Sequence, residues 1–301
     1  MIRQPICPIC GKSPCDGHPV GMTQTFWQML KTFEIPGKIS GVQEKLHVRF
    51  QADPAAPAYL LKVPSITLDY ISINEFVTMS IAEKAGLCCA EHETVSVVTL
   101  MNPDGVELYA SKIFDTSGLL VDGMYFYRGE TTQKYDAELL DFFGRLKEAK
   151  VSGLGQVFDQ VFLSYLVRNG DLHLKNFGFF IRQDGTIEAS PAYDLANTSL
   201  YDNGEFALSI NGKRQLITFD DWEQLANTAG IQDFTERCQR IWKAVSRELD
   251  DLEAIGWLDP VFRVMYTESI RPVLCEQAWE FKIPHQNGVL PQEQKTAICL
   301  R

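Results

Sequence analysis

The segment Leu154 to Asn169, LGQVFDQVFLSYLVRN, carries apolar side chains almost all the way round a helix. Such a helix cannot rest on a surface with one stripe turned inward, so other elements must wrap it. Overlapping its end is Arg168 to Gly178, RNGDLHLKNFG, which crowds two bases, an acid, a histidine and two asparagines between apolar runs. Polar groups set against a buried helix are costly unless they find partners. The chain must therefore build a mostly helical domain around this helix and present a polar loop at its C-terminal end.

Neighbouring segments supply the wrapping. DAELLDFFGRLKEAK precedes the buried helix, and TFDDWEQLANTAG, FTERCQRIWKAVSREL and PVFRVMYTESIRPVLCEQAWEF follow, all with helical texture. FGFFI and TIEASPAYD, joined by RQDG, read as a hairpin, and a polar tail follows Pro284. The first 115 or so residues read differently. TQTFWQMLKTF (Thr23 to Phe33) is expected to be a short helix, and Leu46, Val48 and Phe50 alternate as in a strand. YLLKVP (Tyr59 to Pro64) is a second strand stopped by proline, and SINEFVTMSIAEKAGL an amphipathic helix ended by Gly86. TVSVVTLMNPDGVELYASKIF gives two more strands around an Asn-Pro-Asp-Gly turn. The resulting division is a Cys-containing segment 1–34, a small sheet-rich part 35–115 and a helical part 116–301.

Composition removes several classes of function. Acidic residues outnumber basic ones 39 to 28, a net charge of −11 that opposes nonspecific attraction to phosphate backbones, so no direct nucleic-acid contact is expected. The longest obvious apolar run, VFLSYLV at Val161 to Val167, is far short of a membrane span of about 20 residues. The start, MIRQPICPIC, lacks a continuous apolar signal region. The expected location is the cytosol. The eight cysteines are too sparse for a disulfide framework. Cys7, Cys10, Cys15 and His18 have a spacing that could surround a zinc ion, though a Pro- and Gly-rich loop with incidental cysteines reads the same.

Set in order, the pieces are a loop bearing Gly41 between strands, a strand lysine (Lys62), a helix containing Glu75, a buried helix ending in Asp171 and Asn176, a hairpin, and Asp194. Phosphoryl transfer from ATP needs each of these parts. A backbone loop and a cation hold the phosphates, metal-bound oxygens neutralise them, and a further carboxylate orients the attacking hydroxyl. Asp171 and Asn176 are five apart, the interval of a kinase catalytic loop, and the hairpin returns Asp194 toward them. Lys62 could reach the phosphates, with Glu75 fixing it by an ion pair, and Gly41 would let the backbone approach the nucleotide. Lys175 is a second candidate nucleotide contact, and His173 either serves catalysis or braces the loop.

ISGVQEKL, INEFVTMSIAEKAGL, GDLHLKNFGF and SPAYDLANT together resemble the HipA-like serine/threonine kinases of bacterial toxin–antitoxin systems, from about Ile35 to Thr198. The resemblance implies an α+β, bilobal protein-kinase-like fold, with a small β-rich N-lobe, a larger helical C-lobe, and ATP and Mg2+ in the cleft. It implies that Asp171 is the catalytic aspartate, that Asn176 and Asp194 are metal ligands, and that Lys62 contacts phosphate. Adenine would meet the connection around Lys112 to Phe114. It further implies a growth-arresting toxin that phosphorylates a protein of translation such as an aminoacyl-tRNA synthetase, and an antitoxin partner.

The sequence departs from the family where relatives read Ser-Ile-x-Gly. Here Lys38-Ile39-Ser40-Gly41 leaves Ser40 alone as an autophosphorylation candidate. The connection reads KIFDT where relatives carry an arginine-bearing RFDR. The kinase-like part starts within the first forty residues, as in the short type whose extra N-terminal subdomain is a separate small protein. Two other readings stay open at this point. One is a small-molecule phosphotransferase of kinase-like fold, and the other a non-catalytic nucleotide-binding partner of an antitoxin.

Overall fold

The computed structural model describes residues 45–49, 58–62, 68–97, 106–112, 119–127, 133–202, 204–252, 254–256 and 258–283. The Cys7, Cys10, Cys15 and His18 quartet, the helix expected at 23–33, Ser40, Gly41, Phe50, the turn at 102–105, Phe114 and the tail from 284 lie outside the described residues. The chain divides into two compact units, residues 1–79 with 90–115, and residues 80–89 with 116–301.

The first unit holds a four-stranded antiparallel sheet of β1 (Lys45–Arg49), β2 (Ala58–Lys62), β3 (His92–Val97) and β4 (Val106–Lys112), in the order β1-β2-β4-β3. β2 is therefore central, pairing Lys45 with Lys62 on one side and Tyr59 with Lys112 on the other. β3 and β4 pair from His92 opposite Ser111 to Val97 opposite Val106, as the Asn-Pro-Asp-Gly turn signal requires.

Helix α1 (Ile71–Lys84) runs across the boundary between the units. The sequence suggests an amphipathic helix, but every residue from Ser72 to Ala82 is buried, including Asn74, Glu75, Thr78 and Ser80. The correction has a local cause, because Thr78 and Glu75 inside α1 have partners of their own. Thr78 Oγ1 donates to the Asn74 carbonyl at 2.8 Å, and Glu75 is ion-paired. α1 ends as the sequence indicates. Gly86 takes a left-handed φ of +83°, the Leu87 amide bonds to the Ala82 carbonyl and that of Gly86 to Glu83, which closes a glycine C-cap.

The second unit is built around the helix predicted to be buried. α3 (Leu154–Leu166) is buried from Val157 through Leu166. Around it stand α2 (Leu139–Glu148), α4 (Phe219–Ala229), α5 (Phe234–Leu252) and α6 (Pro260–Glu280). Phe158, Phe162 and Tyr165 of α3 meet the buried Trp222 of α4 edge-on, at centroid distances of 6.1, 5.0 and 5.5 Å. Such pairs add about 0.5–1.5 kcal/mol each beyond the area they bury. The hairpin is present as β6 (Gly178–Ile181) and β7 (Ile187–Ala189), and a strand the sequence did not disclose, β5 (Leu119–Asp122), pairs antiparallel with β6.

The start of α4 carries a testable electrostatic lock. Thr218 donates to Asp221 through both its amide (2.9 Å) and its hydroxyl (2.7 Å), while Asn211 (2.9 Å) and Lys213 (2.7 Å) bind the same carboxylate. Burial alone would push the Asp221 carboxyl up, but the hydrogen bonds from Lys213, Asn211 and Thr218 outweigh it and hold the group at about 2. The folded value lies below the unfolded one, so the stabilisation is fully present above about pH 4 and lost as pH falls through 2. We expect Asp221→Asn to cost about 2 kcal/mol at pH 7, a gap from wild type that narrows as urea unfolding is repeated from pH 4 down to pH 2. A pH-independent gap would contradict the assignment.

Candidate active site

The candidate site residues fall into two sets, one in each unit. In the first unit Lys62, the last residue of the central strand β2, points its ammonium at Glu75 of α1. The two carboxylate oxygens accept at 2.6 and 2.7 Å, and both side chains are about 95% buried (5% and 4% exposed). The Tyr109 ring lies 5.5 Å from the Lys62 nitrogen. Desolvating two charges offsets most of what their attraction returns, so a buried pair of this kind is weak evidence for stability and better evidence for a required geometry. Lys112, at the end of β4, instead pairs with the exposed Glu91 at 2.6 Å.

In the second unit the loop leaves α3 through Arg168 in the left-handed region (φ +57°). Gly170 follows because nothing larger fits. A Cβ there would lie 2.6 Å from the Glu205 carbonyl and 3.0 Å from Thr198 Oγ1, which already accepts the Gly170 amide at 2.8 Å. Asp171 comes next and is exposed. A short 3-10 turn, Leu174–Asn176, then brings Asn176 under the loop, where its side-chain oxygen Oδ1 accepts the His173 amide at 2.9 Å. Its amide group donates to Asp194 at 2.7 Å. Lys175 is exposed on the same turn.

Polar residues of α3, the half-buried Gln156 and the buried Gln160, set this geometry. Gln160 donates to the Asn176 carbonyl at 3.2 Å, and Gln156 to the Ser190 carbonyl at 2.6 Å, so one helix grips both the loop and the segment leading to Asp194. Tyr193 donates to the Lys175 carbonyl at 2.9 Å, a second tie between the same two segments. Asp194 itself adopts φ +60°. Aspartate tolerates that region better than most residues, but it remains a strained choice of the kind found where a side chain must be aimed. From α6, Ser269 accepts Asn197 at 2.7 Å through its hydroxyl and Arg168 at 3.2 Å through its carbonyl, anchoring the segments on either side of the site.

The His173 imidazole is buried, and Nδ1 has no hydrogen-bond partner among the described residues. Burial lowers its pKa, opposed by the charge of Asp171 and assisted by that of Lys134, so the ring is neutral at pH 7. The residue that sequence reasoning missed is Tyr135. Its hydroxyl donates a short hydrogen bond to Asp171 Oδ1, and its ring meets His173 edge-on at 5.1 Å. It lies 36 positions before Asp171, beyond the reach of any spacing motif.

Residues 37–252 match the model of the HipA-like C-terminal domain. That span covers well over half the chain and contains both sets of residues. The chain belongs to the HipA-like C-terminal domain family. Among curated proteins it is 27% identical, over 66% of its length, to the Sinorhizobium fredii protein named "Putative kinase Y4dM". It is 24% identical, over 54% of its length, to a Haemophilus influenzae protein named "Putative kinase". These alignments span 54% and 53% of those proteins, so the chain covers about half the length of the curated relatives it matches.

Two solved structures share the fold of this HipA-like chain. One is from the Shewanella oneidensis MR-1 toxin–antitoxin complex of HipA, HipB and operator DNA, with TM-score 0.61, 20% identity, and coverage of 80% of this chain and 64% of that one. The other is the Helicobacter pylori proinflammatory kinase CtkA, with TM-score 0.54, 14% identity, and coverage of 79% and 92%. The α+β, kinase-like fold class expected from sequence is thereby established.

Proposed function

We propose that this HipA-like chain is an ATP-dependent protein serine/threonine kinase. The observation that carries the reading is the contact of Asn176 with Asp194 at 2.7 Å on a loop that leaves Asp171 exposed. In this reading Asp171 orients the acceptor hydroxyl, whose oxygen bonds to the γ-phosphorus of ATP as the bond to the bridging oxygen breaks. The hydroxyl proton passes to Asp171 and ADP leaves. Lys62, held by Glu75, fixes the phosphates, and the exposed Lys175 adds a cation to the same nucleotide. In the same reading Gly41 is given the role of admitting the nucleotide to the backbone, Lys112 and Phe114 that of meeting the adenine, and neutral His173 that of bracing the loop.

Asp194 and Asn176 would hold Mg2+. Their carboxylate and amide oxygens are the hard donors that ion prefers, and the Asn176 side-chain oxygen Oδ1 keeps a second lone pair beyond the one given to His173. A bound magnesium ion would neutralise phosphate charge as transfer proceeds. The division at 35–115 and 116–301 is proposed as the functional N- and C-lobes. No described helix is long and apolar enough to cross a membrane.

The family supports a narrower biological reading, namely a toxin whose substrate is a protein of translation and whose partners are an antitoxin and a separately encoded N-subdomain. Ser40 is its autophosphorylation candidate, and the cytoplasm its site of action. The decisive experiment gives the purified chain γ-labelled ATP with Mg2+, with and without casein as a generic acceptor. Label should appear on serine or threonine and vanish when EDTA exceeds the metal. ATP binding by calorimetry with no label transfer would overturn the kinase reading.

A further inference from the structure

Asp171 is exposed, and the terminal torsion of an aspartate is broad, so nothing intrinsic to the residue fixes which oxygen faces an acceptor. Tyr135 supplies that constraint. Its hydroxyl is bonded to Oδ1, which leaves Oδ2 for the acceptor. Burial, together with the hydrogen bond to Asp171, raises the phenol's pKa, so Tyr135 stays a donor throughout the working range.

Tyr135 is itself held from several directions. The carbonyl of Lys134 accepts the Leu174 amide at 3.1 Å, stitching the Lys134-Tyr135 turn to the catalytic loop. Arg214 donates to the Tyr135 carbonyl at 3.1 Å, the Lys134 ammonium sits 4.5 Å from the ring centroid, and His173 packs against the ring edge. A phenol whose turn is held by two separate segments, and which is aimed at one carboxylate oxygen, is preorganised in the sense that lowers a reaction barrier.

We infer that Tyr135 is a positioning residue for the transfer proposed above, acting through Asp171. The inference deepens that reading and rests on it. Tyr135→Phe keeps the ring, its packing on His173 and the cation above it, and removes only the hydroxyl. With casein and Mg·ATP, this variant should lose about tenfold in kcat, with KM for ATP and the melting temperature unchanged. Arg214→Ala, which reaches Tyr135 only through its carbonyl, should lose less in the same direction, and it carries the test if the first variant does not fold.

An unchanged kcat in Tyr135→Phe overturns the inference. So does full activity in Phe with loss only in Tyr135→Leu, which would make the role one of ring packing. A faster Tyr135→Phe enzyme would mean that the hydroxyl occupies the acceptor's place, again against the inference. If the wild-type chain transfers no phosphate, the kinase reading itself fails and this inference falls with it.

Discussion

Asp171→Asn should reduce phosphate transfer by roughly 10²- to 10⁴-fold, the range general-base assistance contributes, and leave the fold intact. The two halves of this expectation have separate structural grounds. The Asp171 carboxylate is exposed and, among the described residues, accepts one hydrogen bond, from Tyr135, a contact that the carboxamide oxygen of asparagine can still accept. The loop is held by other groups, namely the Gly170 amide on Thr198, the His173 amide on Asn176, the Leu174 amide on Lys134 and the Asn176 carbonyl on Gln160. Removing one exposed charge should therefore shift stability by no more than about 0.5 kcal/mol. Calorimetric ATP affinity, melting temperature and initial transfer rate measured on one preparation decide the matter. Undiminished transfer would remove Asp171 from the reaction, and a collapsed melting transition would recast it as structural.

Much of the arrangement behind that prediction is legible in the residues. The period of LGQVFDQVFLSYL requires a wrapped helix, and α3 is one. The Asn-Pro-Asp-Gly and Arg-Gln-Asp-Gly signals locate two antiparallel pairs, and Gly86 ends α1 where a glycine C-cap belongs. What sequence could not disclose depends on distant partners. β5 is four residues, Leu119–Asp122, with two exposed leucines, and only its pairing with β6 makes it a strand. The polar residues of α1 interrupt its apolar pattern, so periodicity alone assigns them to solvent, whereas Lys62 partners Glu75 and the helix's own backbone partners Thr78 in the interior. The same holds for Tyr135, Gln160 and Ser269. Each is an ordinary helix or turn residue in sequence, and each gains its role from a loop tens of positions away.

The Lys62–Glu75 pair allows stability and function to be separated within one set of variants. Glu75→Gln replaces a buried carboxylate with a neutral group of equal size and takes from the Lys62 ammonium the carboxylate it binds at 2.6 Å, where side-chain exposure is 5%. Removing one partner of a buried ion pair costs about 3–5 kcal/mol, a large fraction of the roughly 5–15 kcal/mol that holds a typical domain together. Replacing both residues with methionine removes both charges while keeping their volume, a change that is commonly near neutral. Urea unfolding should therefore order the proteins as wild type close to Lys62→Met/Glu75→Met, with Glu75→Gln well below both. Transfer activity should not follow that order, because the stable double variant has lost the cation assigned to the phosphates and should be inactive. If Glu75→Gln costs less than about 1 kcal/mol, the pair is not the buried, mutually dependent unit described. If the double variant is stable and still transfers phosphate at the wild-type rate, Lys62 has no part in holding the nucleotide.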